Sequence, residues 1–483
     1  MHSFLSIALR RSSAVAATAA TVTAAMAASN LAPRASFAQS TPIAITNVTV
    51  IPMDSERTLR DQTVIVRDGR IVTVGAAART AVPAGATRIN GRGKFLMPGL
   101  AEMHAHVPPG NPTDEQLADI MFLYVANGIT TIRGMLGAPY QIDLRQQLAS
   151  GAMLGPRFFA AAPSLNGNSA PNPEAAVAAV KAAKLVGYDL MKIHPGFSRA
   201  TWDAAVAELK AQGMTFGGHV PMDVGIVHAM RSGIATIDHV DGYLEAAVRD
   251  SAVYSTPGNT LGDVIEQVDS AKFRALAEMS KELTVWNVPT MYLWENFYND
   301  ASPEQLGALP EMRYAHPNQV TAWMNQKRGR ALADKNQDMT PERRARYLAL
   351  RRQMLKTLAD VGAPLLMGTD SPQMFNVPGF AMHRELGVAK AAGLTNHQVL
   401  ESGTKNVGRY VAESLKQDGS FGTVAEGQWA DLVLLDENPM ADLTNLTRRS
   451  GVMVRGRWVS REEIAAGLEK LAAKYAALRQ GGR

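Results

Sequence analysis

Apolar and polar residues alternate in TPIAITNVTVIPM (41–53) and QTVIVRDGRIVTVG (62–75), with a turn signal at Asp68-Gly69. A period of two predicts antiparallel strands. The same texture returns in ADLVLLDENP (430–439) and GVMVRGRWVSR (451–461), which predicts one small β-sandwich built from both ends of the chain, residues 41–97 and 404–460. The central body, residues 98–403, has another rhythm. Eight short β-rich runs alternate with Ala/Leu/Lys-rich helical stretches: FLMPGLAEMHAH, GITTIRGM, RFFAAAPSL, YDLMKIH, TFGGHV, ATIDHVDG, LTVWNVPTM and APLLMGTDSP. Such βαβ alternation makes the fold class α/β and predicts a (β/α)8 TIM barrel, with reactive groups gathered at the C-terminal strand ends. The gap before the eighth run is long and holds Tyr292, Trp294, Phe297, Tyr298, Tyr314 and Trp323, followed by a basic stretch from Pro341 to Leu358. A helical insertion over about 292–358 is expected, either a lid over the barrel mouth or a unit whose aromatics form their own core. Ile464, Leu468, Leu471, Tyr475 and Leu478 make a short apolar stripe on a C-terminal helix, 461–483, expected to pack on its own subunit.

Composition narrows the chemistry. With 46% hydrophobic and 19% charged residues the chain buries a large core, which excludes disorder as its main state. The absence of cysteine removes disulfides, iron–sulfur clusters and thiol nucleophiles, so any metal must be held by His, Asp, Glu or Lys. No internal run of about 20 apolar residues predicts a membrane span. Residues 1–53 contain no Asp or Glu; Arg10 and Arg11 precede an Ala-rich run to Ala28 and the small-residue site Ser36-Phe37-Ala38. This layout predicts a cleaved leader, residues 1–38, and an exported protein, periplasmic or secreted, by the general or twin-arginine route, with a mitochondrial presequence as the rival. Three arginines leave with the leader and the net charge falls from +5 to +2, which argues against a nucleic-acid partner.

His104 and His106 end the first run two residues apart, so on a strand both face the same side. His219 and His239 end later runs, one βα unit apart, and Asp370 follows the eighth, where its bland alternative is to cap the next helix. Single histidines at such places are more often hydrogen-bonded core residues, but four at equivalent strand ends point to a metal. Lys192 ends an apolar run, where burial and nearby positive charge favour the neutral amine. A neutral amine adds CO₂ to give a carbamate; pairing with Asp189, or an outward-reaching stem, is equally consistent with the sequence.

His104-x-His106, Lys192, His219, His239 and Asp370, in this order on successive runs, resemble the amidohydrolase superfamily of metal-dependent hydrolases. PGLAEMHAH, GITTIRGM, GTDSP and GTVAEGQWADLVLLDENP resemble its imidazolonepropionase-like and bacterial prolidase-like branch, which includes ochratoxin-degrading amidohydrolases, over about residues 41–460. The resemblance implies that His104, His106 and Asp370 hold one divalent ion and His219 and His239 a second, with carboxylated Lys192 and a hydroxide between them. Zn²⁺ suits these donors. It also implies Asp370 as general base, His239 as an aid to the carbonyl or oxyanion, and an acidic neighbour of His239, here Asp238. The expected reaction is cleavage of an amide bond in carboxylate-bearing N-acyl amino acids or small peptides. Arg133, His194, Tyr243 and His383 are candidates by position for binding such a substrate. A cyclic-amide hydrolase or mononuclear deaminase is the nearest alternative, disfavoured by Lys192, and a non-catalytic barrel that binds a ligand or a second copy of itself is the other.

Overall fold

The computed structural model describes residues 41–108, 110–254 and 256–481; the expected leader lies outside the described residues. Among the described residues, fifteen strands order the fold. The terminal ones are β1 (Ile43–Val50), β2 (Leu59–Arg67), β3 (Arg70–Ala76), β4 (Thr87–Asn90), β5 (Phe95–Pro98), then β13 (Leu432–Leu435), β14 (Arg449–Val454) and β15 (Arg457–Ser460). They form a separate sheet in the order β15-β14-β13-β5-β1-β2-β3, with β4 alongside β1. The antiparallel pair β5–β13, from Pro98 opposite Leu432 to Phe95 opposite Leu435, stitches the two ends of the chain together. The apolar side chains of the alternating runs, Ile45, Val48, Val64, Leu96, Leu432 and Met453, meet in one sandwich-like core.

The central body carries β6 (Leu100–Ala105), β7 (Ile129–Gly134), β8 (Arg157–Ala160), β9 (Met191–Ile193), β10 (Phe216–Gly218), β11 (Thr236–Asp238) and β12 (Trp286–Val288). These form two parallel sheets, β6-β7-β8 and β9-β10-β11-β12, separated in sequence by helices. The run FLMPGLAEMHAH, expected as one strand, is two. Gly99 donates its N–H to Asp431 O at 2.9 Å in the terminal sheet, and the next N–H, of Leu100, goes to Gly128 O at 2.9 Å, so the chain changes partners between neighbouring residues.

The eighth run is not an assigned strand. It is held by Leu366 N–H to Asn287 O (2.9 Å), Met103 N–H to Met367 O (2.8 Å) and Asp370 N–H to His104 O (2.8 Å). Gly368 makes that approach possible, because a Cβ there would lie 2.9 Å from His104 N and 2.5 Å from a Val288 methyl.

The insertion is helical, with Met291–Tyr298, Pro303–Gly307, Pro317–Asn336 and Pro341–Val361 as its main helices. Its aromatics divide between two places. Trp294, Tyr298 and Tyr347 pack on one another, with Tyr298 and Tyr347 ring centroids 4.9 Å apart. Trp323 joins Phe375 and Leu471, the latter on the C-terminal helix Arg461–Gly481. Ile464 and Leu471 of that helix are buried, whereas Leu478 stays 47% exposed. No described helix is long and apolar enough to cross a membrane.

Glu385, on the helix Phe380–Ala391, fastens the insertion from below: its carboxyl accepts the N–H groups of Met291 (2.8 Å) and Tyr292 (2.6 Å). Burial raises its pKa to about 7 against the lowering effect of these two donors. Because the folded value lies above the ordinary 4.5, the folded state holds this proton more tightly than the unfolded chain does. Its stabilisation is full below pH 4.5 and is lost as pH rises through about 7, a change of about 3 kcal/mol. Urea unfolding at pH 5 and pH 7.5 is expected to show this loss, and Glu385→Gln to flatten it.

Candidate metal centre

Strand alternation puts His104 and His106 on one face at the end of β6, and the close approach of 364–371 delivers Asp370 to them. His106 Nε2 is 2.6 Å from Asp370 Oδ1, and His104 Nε2 is 3.7 Å from the same oxygen. From β11, His239 brings Nδ1 to 3.8 Å from Asp370 Oδ2. The His239 ring lies 4.5 Å from those of both His104 and His219. Lys192 is fully buried, with Nζ 3.3 Å from His104 Nε2 and 3.5 Å from Asp238 Oδ2. It is therefore neither outward-reaching nor paired with Asp189, which is taken by Arg145 at 2.7 Å. The path of the lysine stem needs Gly218, φ 129°, since a Cβ there would meet Lys192 Cδ at 2.9 Å. Asp370 does not cap the following helix, which begins at Phe380 after Gly379.

The six residues thus come together, and the second nitrogens of His219 and His239 are held by Asp241 and Thr290, which the sequence did not single out. His219 Nδ1 contacts Asp241 Oδ2 at 2.6 Å and His239 Nδ1 contacts Thr290 Oγ1 at 2.7 Å, which leaves each Nε2 free for a ligand. Asp238 sits 2.9 Å from His104 Nδ1 but off a hydrogen-bond direction, so both atoms are buried without a hydrogen-bond partner. Glu102 accepts the N–H groups of His104 (3.0 Å) and Thr369 (2.7 Å) and the Thr369 hydroxyl (2.5 Å), tying β6 to the Asp370 segment. Such cross-element partners leave no local pattern. The one available signal was the pair of acidic residues around His239 in DHVD.

The electrostatics keep the donors ready for a cation. Burial first, then the charges of Lys192 and neighbouring histidines, hold His104 and His239 as neutral imidazoles. Burial likewise lowers the pKa of Lys192 against the pull of Asp238 and Asp370. For Asp238 burial works upward, but Arg133 and Lys192 prevail and keep it ionised.

The candidates for substrate contact fare differently. His194 stands at the site: its ring stacks on His219 at 4.7 Å and Nδ1 meets Ser164 Oγ at 2.5 Å. It borders an open cleft with Leu136, Ser164, Asn166, Asn168 and Pro195, which offers hydroxyl, amide and imidazole groups without a lysine or arginine. Burial and nearby Lys192 lower its pKa to about 3. The other three are corrections. Arg133 is fully buried and spends its donors on Met103 O (2.7 Å), Thr236, Tyr410 and Asp238 (3.2 Å), so it braces the strands instead of reaching the mouth. Tyr243 is fully buried with its hydroxyl donated to Asn287 Oδ1 at 2.7 Å. His383 is enclosed beside Arg449, which packs on Gly128 at the start of β7, the opposite end of the strands from His104 and His106.

Residues 95–459 match the model of the amidohydrolase family. The chain belongs to the amidohydrolase family. This amidohydrolase is 31% identical over 193 residues to an adenine deaminase of Paracoccus denitrificans, a match covering 36% of the chain and 32% of the relative. It is 35% identical over 124 residues to an imidazolonepropionase of Stenotrophomonas maltophilia, covering 24% and 29%. The chain spans about a third of the length of these curated relatives. Among solved structures it is similar to a bottromycin amidohydrolase (TM-score 0.67, 20% identity, 90% of each chain). A putative prolidase from Bifidobacterium longum matches at TM-score 0.64 and 23% identity, over 89% of this chain and 99% of the other. An ochratoxinase from A. niger follows at 0.60 and 19%, over 86% and 95%. At these identities the likeness is one of fold.

Proposed function

We propose that this amidohydrolase cleaves an amide bond in small carboxylate-bearing molecules, N-acyl amino acids or short peptides, at a site for two divalent cations in a closed (β/α)8 barrel. Closure is supported by the single parallel bridges Ala161–Leu190, Asn287–Leu365 and Ala105–Ser371, which link the two parallel sheets and the eighth run. The observation that carries the function is the convergence of His104, His106, Lys192, His219, His239 and Asp370. Donor atoms of His104, His239 and Asp370 lie within 4.8 Å of one another, which fits a site completed by a cation. His104, His106 and Asp370 would hold one ion, and His219 and His239 the other. Lys192 would contribute as a carbamate between them, formed when its amine adds CO₂ and releases a proton. When bound, such ions, of which Zn²⁺ suits the donors, polarise a carbonyl and lower the pKa of water.

The chain supplies the rest. Asp370 accepts the proton of the attacking water at its carboxylate and returns it to the departing amine. His239 has both ring nitrogens committed, Nδ1 to Thr290 and Nε2 to the ion it would hold, so the direct help to the oxyanion expected from the resemblance falls away. Arg133 holds Asp238 in place beside His104 Nδ1. Ser164, Asn166 and His194 hydrogen-bond the substrate carboxylate or amide in the cleft.

Prolidase, Xaa-Pro dipeptidase and ochratoxinase among the structural neighbours support amides with a free carboxylate. The adenine deaminase match favours a second reading, deamination or cyclic-amide hydrolysis at a single ion. The buried Lys192 against His104 favours the first. Export through the leader belongs to the same proposal. A hydrolysis screen of the zinc-loaded protein against N-acyl amino acids, dipeptides, cyclic imides and adenine, read by mass spectrometry, separates the readings: amino-acid release supports the first, and ammonia release from adenine or ring opening of a cyclic imide supports the second. Reconstitution with Zn²⁺ in CO₂-depleted buffer is expected to recover about tenfold less activity than with added bicarbonate. Equal recovery would remove the carbamate from the scheme.

A further inference from the structure

We infer that Arg351, carried into the site by the insertion helix Pro341–Val361, is a positioning residue for His239. The inference rests on the reading of His239 as a metal ligand. His239 and Val240 have φ of 63° and 56°, two consecutive residues in the left-handed region that side chains other than glycine rarely adopt. This turn aims the His239 ring into the pocket after β11 ends. Its N–H is tied to Val288 O at 2.8 Å. Its carbonyl accepts a hydrogen bond from Arg351 Nη2.

Arg351 is 2% exposed, and its other terminal nitrogen donates to Tyr347 OH at 3.1 Å. Its guanidinium lies 4.1 Å over the Trp294 ring, and Trp294 in turn stands edge-on to the His239 ring at 6.5 Å. One cation therefore grips the backbone of the histidine directly and its ring through an aromatic. The third hold, Thr290 Oγ1 on Nδ1, comes from the residue just before the helix Met291–Tyr298. The aromatics around Trp294 thus serve as the wall that keeps Arg351 in place. A planar guanidinium both donates along its edge and stacks on its face, which a lysine does not reproduce.

Loss of Arg351 frees the carbonyl to leave the left-handed turn, and the ring turns with it. The test uses the full chain, zinc binding by equilibrium dialysis, kcat and KM, and far-UV circular dichroism. Arg351→Met is expected to keep its fold and its first zinc equivalent, bind the second about tenfold more weakly, and lose kcat with little change in KM. Arg351→Lys restores one hydrogen bond and is expected to recover part of both. If Arg351→Met fails to fold, Tyr347→Phe removes only the hydroxyl that holds the guanidinium and is expected to weaken the second equivalent about threefold. Folded variants with wild-type zinc affinity and kcat would overturn the inference alone. A wild-type protein that takes up no zinc would overturn the metal reading and this inference with it.

Discussion

Asp370→Asn is expected to lower kcat about a thousandfold while zinc content and KM stay near wild type. The substitution preserves shape: Asn Oδ1 still faces His106 Nε2, 2.6 Å away in the parent, and Gln373 Nε2, at 2.7 Å. What it removes is the second basic oxygen, the one that faces His239 at 3.8 Å. A group that takes a proton from water and then passes it to an amine must be a base in the first half of the reaction and the conjugate acid in the second, and an amide serves as neither. Atomic absorption and steady-state kinetics on the same preparation decide the matter. Unchanged turnover would remove Asp370 from the base role, and lost zinc would reassign it to holding the ion.

Arg133→Met is expected to destabilise the fold by about 3–5 kcal/mol, seen as a lower urea midpoint. The methionine fills much of the volume, so the loss is electrostatic: Asp238, fully buried, would keep its carboxylate with Arg133 gone. The Met103 carbonyl, the Thr236 hydroxyl and the Tyr410 hydroxyl would lose their donor at the same time. Arg133→Met combined with Asp238→Asn is expected to recover roughly half of the loss, because the two sites share one ion pair. A single variant as stable as the parent would show that Asp238 is neutral in the fold.

Much of the arrangement was legible because it is periodic. Alternation marked β1, β2, β13 and β14, and the period-two spacing of His104 and His106 placed both rings on one face. What was not legible depends on contacts between distant segments. Whether Tyr243 or His383 reaches the mouth is a matter of depth along the strand axis, and sequence distance from His239 or Asp370 says nothing about depth. The break at Gly99 was hidden because β5 and β6 are both apolar, and only the change of hydrogen-bond partner separates them. The insertion aromatics were ambiguous for a related reason. Composition shows that Trp294 and Tyr347 must be covered, but not that the covering includes a buried cation and a histidine carbonyl.

The seam between β5 and β13 has a consequence for how the protein is made. A ribosome releases the Phe95–Pro98 strand long before Leu432–Leu435 exists, so one flank of that apolar strand has no partner through most of synthesis. An open strand flank is a template for pairing with another chain, and long-range pairing is slow. Truncated or stalled chains that end before Leu432 should therefore be the aggregating species in a cell, and helper proteins that shield nascent chains should matter more to the yield of this protein than to its final stability.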